Sequence, residues 1–244
     1  MRALERNAAE HLPRGFRERL RQTARRGPAI IAELKKASPS KGLIRADFRP
    51  IKLAQELEQA GAAALSVLTD EEFFQGSLDY LEQASTATSI PCLRKDFIID
   101  EFQILESRAY CADAILLILA ALEQKELIAL ARSAQAHKLD VLCEVHDENE
   151  LERALDAGCD LIGVNSRNLK TFNVDLATAL RIGEAIPSEC VRVAESGIHS
   201  GADVARLRAA GYDAFLIGES LMRAERPGEA LKILMEEAKV VVSS

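Results

Sequence analysis

The chain has 244 residues, 48% hydrophobic and 28% charged, a balance typical of a globular protein with one large domain or two small ones. Its formal net charge of −7 argues against nucleic acid as a partner, because phosphate backbones attract basic surfaces. The five cysteines and four histidines lack metal-ligand spacing, and the longest apolar run, residues 114–122, is too short to span a membrane. We therefore expect reduced thiols, a cytoplasmic location, no metal site and no membrane partner.

Residues 1–29 precede the first predicted strand and have a helical pattern, which predicts an N-terminal helical extension at the base of the fold. Residues 14–26 of this extension contain six arginines. We interpret them as the solvent-facing side of a helix, with an anion-binding arm as the alternative.

Short apolar runs then alternate with longer helical patterns. The predicted strands are residues 30–34, 64–68, 91–95, 114–118, 141–145, 161–165, 191–195 and 215–218. Several intervening helices end in Ala-Gly, as at Gly61, Gly158 and Gly211, and glycine is the usual helix stop. This alternation predicts an α/β fold, a (β/α)8 TIM barrel formed by residues 1–244 as one domain. An open, doubly wound sheet is the alternative, but no predicted strand is followed by G-x-G-x-x-G.

Polar and ionisable residues recur at the C-terminal ends of five predicted strands. Side chains alternate between the two faces of a strand, so each of these residues shares the inward face with smaller or apolar residues below it. The residues placed in this way are Glu33 and Lys35, Lys95, Glu144, Asn165 and Arg167, and Glu195. In a closed barrel they converge on the end where such barrels carry their active sites. A single buried charge there would be costly, but opposite charges from several strands offset one another.

The last two predicted strands end in AESGI and LIGES, with Gly197 and Gly218 where the chain turns toward a helix. The loops after strands seven and eight of such barrels often bind phosphate through backbone N–H groups. In a closed barrel the first strand neighbours the eighth, which brings the positive charge of Lys35 to the same place. The pattern predicts a phosphate site here.

Seven segments together resemble the indole-3-glycerol-phosphate synthase family, and the resemblance runs from about residue 28 to about residue 235. They are IIAELKKASPSKGLIR, LSVLTDEEFFQGS, PCLRKDFIID, CEVHDENELERAL, IGVNSRNLKTFNVD, VAESGI and FLIGESLM. The resemblance implies ring closure of 1-(2-carboxyphenylamino)-1-deoxyribulose 5-phosphate, with loss of CO₂ and water, to indole-3-glycerol phosphate in tryptophan biosynthesis. It implies no cofactor and no metal. We expect a monomer whose partner is this phosphorylated small molecule.

The resemblance also implies roles for individual residues. Lys95 of RKDF matches the general acid, and Glu144 matches a catalytic glutamate that serves as base or stabilises a cationic intermediate. Glu33 and Lys35 match the family's residues on the first strand that form a paired acid and base and lie on the phosphate side. The sequence does not assign each proton transfer among these four residues.

The remaining matched positions are expected to contact substrate. Asn165 and Arg167 are expected at the sugar hydroxyls and the carboxylate, opposite Glu195. The anthranilate side is assigned to Ser38, Phe97, Leu116 and Leu169, and the phosphate to Lys35, Ser196, Gly197, Gly218 and the backbone of Glu219. Residues 35–48 are interpreted either as a mobile lid or as a long connection.

Two other functions remain as alternatives. A phosphoribosylanthranilate isomerase-type barrel prefers a Cys/Asp acid–base pair at its strand ends, where this chain has Glu and Lys. A non-catalytic barrel that binds a phosphorylated metabolite would be expected to lose Lys95 or Glu144, and both are present.

Overall fold

The computed structural model describes residues 2–167 and 174–242. In chain order the strands are β1 Ala29–Leu34, β2 Ala37–Ser38, β3 Gly42–Leu43, β4 Ala64–Leu68, β5 Cys92–Lys95, β6 Ala114–Ile118, β7 Asp140–Val145, β8 Leu161–Asn165, β9 Val191–Glu195 and β10 Ala214–Ile217. All except β2 and β3 close into a parallel barrel in the order β1-β10-β9-β8-β7-β6-β5-β4. This confirms the predicted barrel, and every predicted strand agrees with an observed one to within one residue at either end.

Helices surround the barrel and connect its strands. They are α1 Arg2–Glu10, α2 Phe16–Ala24, α3 Pro50–Gln59, α4 Glu71–Phe74, α5 Leu78–Thr86, α6 Glu101–Ala109, α7 Gln124–Ala136, α8 Glu148–Asp156, α9 Leu176–Ala185, α10 Gly201–Ala209, α11 Glu219–Arg223 and α12 Pro227–Val242. A short 3-10 helix, Leu119–Ala121, follows β6. The described residues include no helix with the length and apolar character needed to cross a membrane.

Two hydrophobic layers confirm the predicted strand faces. Ile30, Ala32 and Leu34 point outward into the layer between the barrel and its helices. Ile31 and Leu93 point inward, into a second cluster that fills the barrel. Alternation along each strand therefore places every second residue inside, and the last inward positions reach the rim of the barrel.

The N-terminal extension closes the base of the barrel, as predicted. Phe16 and Leu20 of α2 are fully buried and belong to the cluster inside the barrel. One of the arginines is less exposed than the sequence suggested: Arg14 donates hydrogen bonds to both carboxylate oxygens of the buried Asp113. Arg17 pairs with Asp160 as well. The interpretation of residues 14–26 as a solvated face is therefore wrong for Arg14, whereas the ion pair of Arg17 lies at the surface.

The connection after β1 contains local structure that the sequence did not predict. β2 and β3 pair as a small antiparallel hairpin, in which Ala37 lies opposite Leu43. Gly42 has a φ of 63°, a left-handed conformation that suits glycine in a tight turn. The hairpin lies inside the segment that we interpreted as a lid or a long connection, and its movement stays a prediction.

Candidate active site

Lys95 lies at the centre of the charged cluster. It ends β5, and its Nζ lies 2.7 Å from Glu144 Oε2 and 2.9 Å from Glu195 Oε2. The two glutamates come from the ends of β7 and β9, and both side chains are almost fully buried. Three strands that are distant in the sequence thus place one ammonium between two carboxylates, as the alternation of faces predicted.

The cluster shifts the protonation of each of its members. Burial opposes the ammonium of Lys95, but the charges of Glu144, Glu195 and Glu33 outweigh burial and raise its pKa well above the usual lysine range. Burial also opposes ionisation of Glu144, but the charge of Lys95, the neighbouring His146 and a hydrogen bond from Asn165 hold its pKa well below the usual range. Burial, aided by repulsion from Glu144, raises the pKa of Glu195 to about 7 despite Lys95. Lys95 and Glu144 are therefore charged at neutral pH, whereas Glu195 titrates there.

Glu33 and Lys35 form a second pair on β1 and the loop after it. Lys35 Nζ lies 2.6 Å from Glu33 Oε1. Glu33 also packs against Gly218 after β10, where an added Cβ would lie 2.4 Å from Glu33 Oε1. Gly218 therefore has a packing reason to be glycine, besides the predicted approach of a phosphate. Positive charges lie near the next residue, Glu219. Burial opposes ionisation of Glu219, but Arg223 and Lys35 help to lower its pKa below the usual value.

Asn165 and Arg167 lie beside the central cluster. The Asn165 side chain donates to Glu144 Oε1 at 3.0 Å and accepts from the Arg167 backbone N–H at 3.0 Å. Asn165 therefore orients the carboxylate of Glu144, a contact that the sequence did not predict. Its predicted contact with sugar hydroxyls, and that of Arg167 with a carboxylate, stay predictions. The predicted contact at Leu169 lies outside the described residues.

The predicted apolar residues take different positions. Leu116 is 2% exposed and belongs to the cluster inside the barrel. Phe97 follows β5 and leaves 46% of its surface exposed, available to a ligand at the rim. Ser38, in the hairpin, is buried and its hydroxyl has no hydrogen-bond partner. Whether these residues contact an aromatic ring stays a prediction.

The predicted phosphate loops have unusual backbone conformations. Ser196 and Gly197 follow β9 with φ values of 63° and 76°, two consecutive left-handed residues. A Cβ on Gly197 would lie 2.5 Å from Val174 Cγ1, so the site requires glycine for space as well as for conformation. Gly218 and Glu219 start α11 beside this loop.

Among the described residues, buried polar atoms without a hydrogen-bond partner concentrate at this end of the barrel. They are Ser38 Oγ, Ser66 Oγ, His146 Nε2, Ser166 Oγ, Glu195 Oε1 and Ser220 Oγ. Buried polar groups normally have partners, so this set indicates a cavity that a polar ligand or water completes. The sequence prediction gave no site role to Ser66, His146, Ser166 or Ser220. Ser66 could have been found, because the two-residue alternation places it on the same face of β4 as Ala64, which lies inside the barrel.

Comparison with known proteins gives a consistent result. The family model described as indole-3-glycerol phosphate synthase matches residues 1–234. A protein of that name from Koribacter versatilis (strain Ellin345) is 64% identical over 231 residues, covering 95% of this chain and 89% of the relative. Another, from Polaromonas naphthalenivorans (strain CJ2), is 55% identical and covers 86% and 80%.

Solved structures support the fold alone. The crystal structure of KGPDC from Streptococcus mutans has a TM-score of 0.66 at 13% identity, covering 88% of this chain and 99% of that one. Thiamine phosphate pyrophosphorylase from Pyrococcus furiosus has a TM-score of 0.65 at 16% identity, covering 90% and 99%.

Proposed function

The chain belongs to the indole-3-glycerol phosphate synthase family, and from this premise we propose how its own residues divide the reaction. The enzyme is a carboxy-lyase of tryptophan biosynthesis. It closes the ring of 1-(2-carboxyphenylamino)-1-deoxyribulose 5-phosphate and releases CO₂ and water, giving indole-3-glycerol phosphate.

The observation that carries the proposal is the position of Lys95 between Glu144 and Glu195. In the first step an aromatic carbon attacks the ketone, and the carbonyl oxygen becomes an alkoxide that needs a proton. Lys95 is a buried ammonium whose two carboxylate neighbours keep it protonated until the alkoxide forms. It therefore acts as the general acid, and its charge stabilises the developing oxyanion.

Glu144 serves as the negative partner of the cationic intermediate and as the base that removes a proton from it. Its carboxylate is ionised and is held by Lys95 and Asn165, so its orientation is fixed before substrate arrives. Glu33 and Lys35 form an ion pair on the opposite side of the cavity, where we assign them to loss of the hydroxyl as water. Ring closure needs an acid, and the loss of one water needs a second acid and a base, so two separate acid–base pairs match the reaction.

The substrate is oriented by its two ends. We place the phosphate at Ser196, Gly197, Gly218 and Glu219, near Lys35; the left-handed backbone after β9 and the unpartnered hydroxyl of Ser220 support this placement. We place the anthranilate ring at the rim opposite. The residues assigned to this end are Ser38, Phe97, Leu116, Arg167 and Leu169, with Asn165 and Glu195 between the two ends.

Three broader expectations remain part of the proposal. We propose one domain over residues 1–244, a monomer, and a cytoplasmic location. The five cysteines are all free, which supports a reducing compartment.

A Lys95→Met variant tests the assignment of the acid, because it keeps the side-chain stem and removes the ammonium. We expect kcat to fall by roughly 10²- to 10⁴-fold, the usual contribution of a general acid, with KM nearly unchanged. Product formation is followed by indole fluorescence. Lys125→Met, on the exposed face of α7, is the matched control.

Two results would contradict the proposal in different ways. A Lys95→Met enzyme with turnover within tenfold of wild type would show that another residue is the acid. A wild-type protein that binds the substrate and forms no product would instead support the non-catalytic alternative.

A further inference from the structure

His146 is a half-buried titratable group at the site that the proposed reaction does not use. It follows β7, two residues after Glu144, and its side chain is 15% exposed. Its Nε2 lies 3.4 Å from Glu144 Oε1, an ion-pair distance, and has no hydrogen-bond partner. Its Nδ1 lies 3.1 Å from Glu150 Oε2. The imidazole thus lies between two carboxylates, one in the cavity and one on the adjoining helix.

Glu150 is itself held in place. Its Oε2 accepts the backbone N–H of His146 at 2.7 Å, besides contacting the ring. Its backbone N–H donates to Asp147 Oδ1 at 2.9 Å, within the N-terminal cap of α8. The first turn of α8 therefore fixes Glu150, and Glu150 fixes the orientation of the His146 ring.

The number of charges in the cluster explains why a histidine beside Glu144 matters. Lys95 is shared between Glu144 and Glu195, so one ammonium faces two buried carboxylates. Burial opposes the imidazolium of His146, but the nearby carboxylates of Glu144 and Glu150 raise its pKa to about 9. His146 therefore carries a second positive charge beside Glu144 at neutral pH.

We propose that His146, oriented by Glu150, is a positioning residue whose imidazolium keeps Glu144 ionised and aimed at Lys95. The inference rests on the proposed role of Glu144. When Lys95 gives its proton to the substrate, it becomes a neutral amine. Without His146, Glu144 would then be a buried carboxylate with no positive charge beside it. The imidazolium supplies a charge that this step does not remove.

The charged groups around His146 come from three elements. Glu144 lies on β7, Glu150 on α8, and Lys95 on β5 beyond Glu144; Asn165 on β8 is polar but does not titrate. Removing the imidazolium should therefore raise the pKa of Glu144, because one of its stabilising cations is lost. The acid limb of the kcat profile should then move to higher pH.

Three variants separate charge from orientation. His146→Ala removes both, His146→Gln keeps an N–H donor without the charge, and Glu150→Gln weakens the hold on the ring. We expect His146→Ala to lower kcat by roughly 10- to 100-fold, the range for groups that orient a functional side chain, with little change in KM. We expect His146→Gln to recover part of kcat but to keep the shifted acid limb, and Glu150→Gln to show a smaller shift in the same direction.

His137→Asn is the matched control, since His137 contacts the Ser133 carbonyl at the end of α7. Thermal midpoints of all variants separate a loss of folding from a loss of function. An unchanged kcat and acid limb in folded His146→Ala would overturn the inference, as would a lower kcat whose acid limb stays at the wild-type pH. A wild-type enzyme without turnover would instead overturn the proposed function itself.

Discussion

Gly163, in the middle of β8, faces the carboxylate of Glu195 so closely that a single methyl group should disturb the active site. A Cβ at this position would lie 2.1 Å from Glu195 Oε1, 3.2 Å from Glu195 Cδ and 3.1 Å from Leu142 Cδ1. Contacts under 3.0 Å do not occur for real Cβ atoms, so Oε1 must move by at least about 0.9 Å. In Gly163→Ala the methyl group therefore occupies the place of the carboxylate.

The displacement should reach Lys95, because the other oxygen of Glu195 lies 2.9 Å from Lys95 Nζ. A misplacement of about 1 Å in a catalytic group can cost on the order of 10²-fold in rate. Overpacking of a barrel interior costs about 1–3 kcal/mol, and replacing a strand glycine offsets part of this through lower chain entropy. We therefore expect Gly163→Ala to lose roughly 100-fold in kcat but only about 1–2 kcal/mol of stability.

Steady-state kinetics by indole fluorescence and urea unfolding measure the two effects on the same preparations. Gly27→Ala is the control, since the nearest atom to its added Cβ is Arg208 Nη1 at 4.0 Å. A folded Gly163→Ala enzyme with kcat within about threefold of wild type would refute the reasoning, because Glu195 would then tolerate displacement.

Three further predictions concern stability and pH. Burial raises the pKa of Glu195 from 4.5 to about 7 in the folded state. As the pH rises through that interval, the unfolding free energy of wild type should therefore fall by on the order of 3 kcal/mol relative to that of Glu195→Gln. Urea unfolding at several pH values tests this, and a stability difference between the two proteins that does not change with pH would contradict it. At the base, Asp113→Asn should cost about 3–5 kcal/mol by leaving Arg14 without its buried carboxylate, whereas Asp47→Asn at an exposed ion pair should cost under about 1 kcal/mol. Burial opposes the imidazolium of His11, yet Asp113 raises its pKa from 6.5 to about 9, so the stabilisation from this pair is complete below pH 6.5 and is lost as the pH rises through 9; equal slopes of stability against pH in wild type and Asp113→Asn would contradict this.

The barrel and its charged rim could be predicted because the information is local. Parallel strands covered on both faces give continuous apolar runs, and the two-residue period then assigns Glu33, Lys95, Glu144 and Glu195 to one interior. Once the barrel closes, these residues must meet at the same end.

Other features depend on contacts that no local pattern contains. Arg14 and Asp113 are 99 residues apart, and their pairing follows only from the docking of α2 under the barrel. The hairpin of β2 and β3 has two residues in each strand, too few for a periodic signal. Ser220 looks like any hydroxyl near a turn until burial shows that its oxygen has no partner.

The plug formed by Phe16 and Leu20 has a consequence for the passage of molecules. With the lower half of the barrel filled, nothing the enzyme uses or makes can cross from one end to the other. Substrate therefore enters through the open C-terminal end of the barrel, and carbon dioxide, water and the indole product leave through the same end. The product must therefore be released before the next substrate molecule binds, and the product competes directly with the incoming substrate.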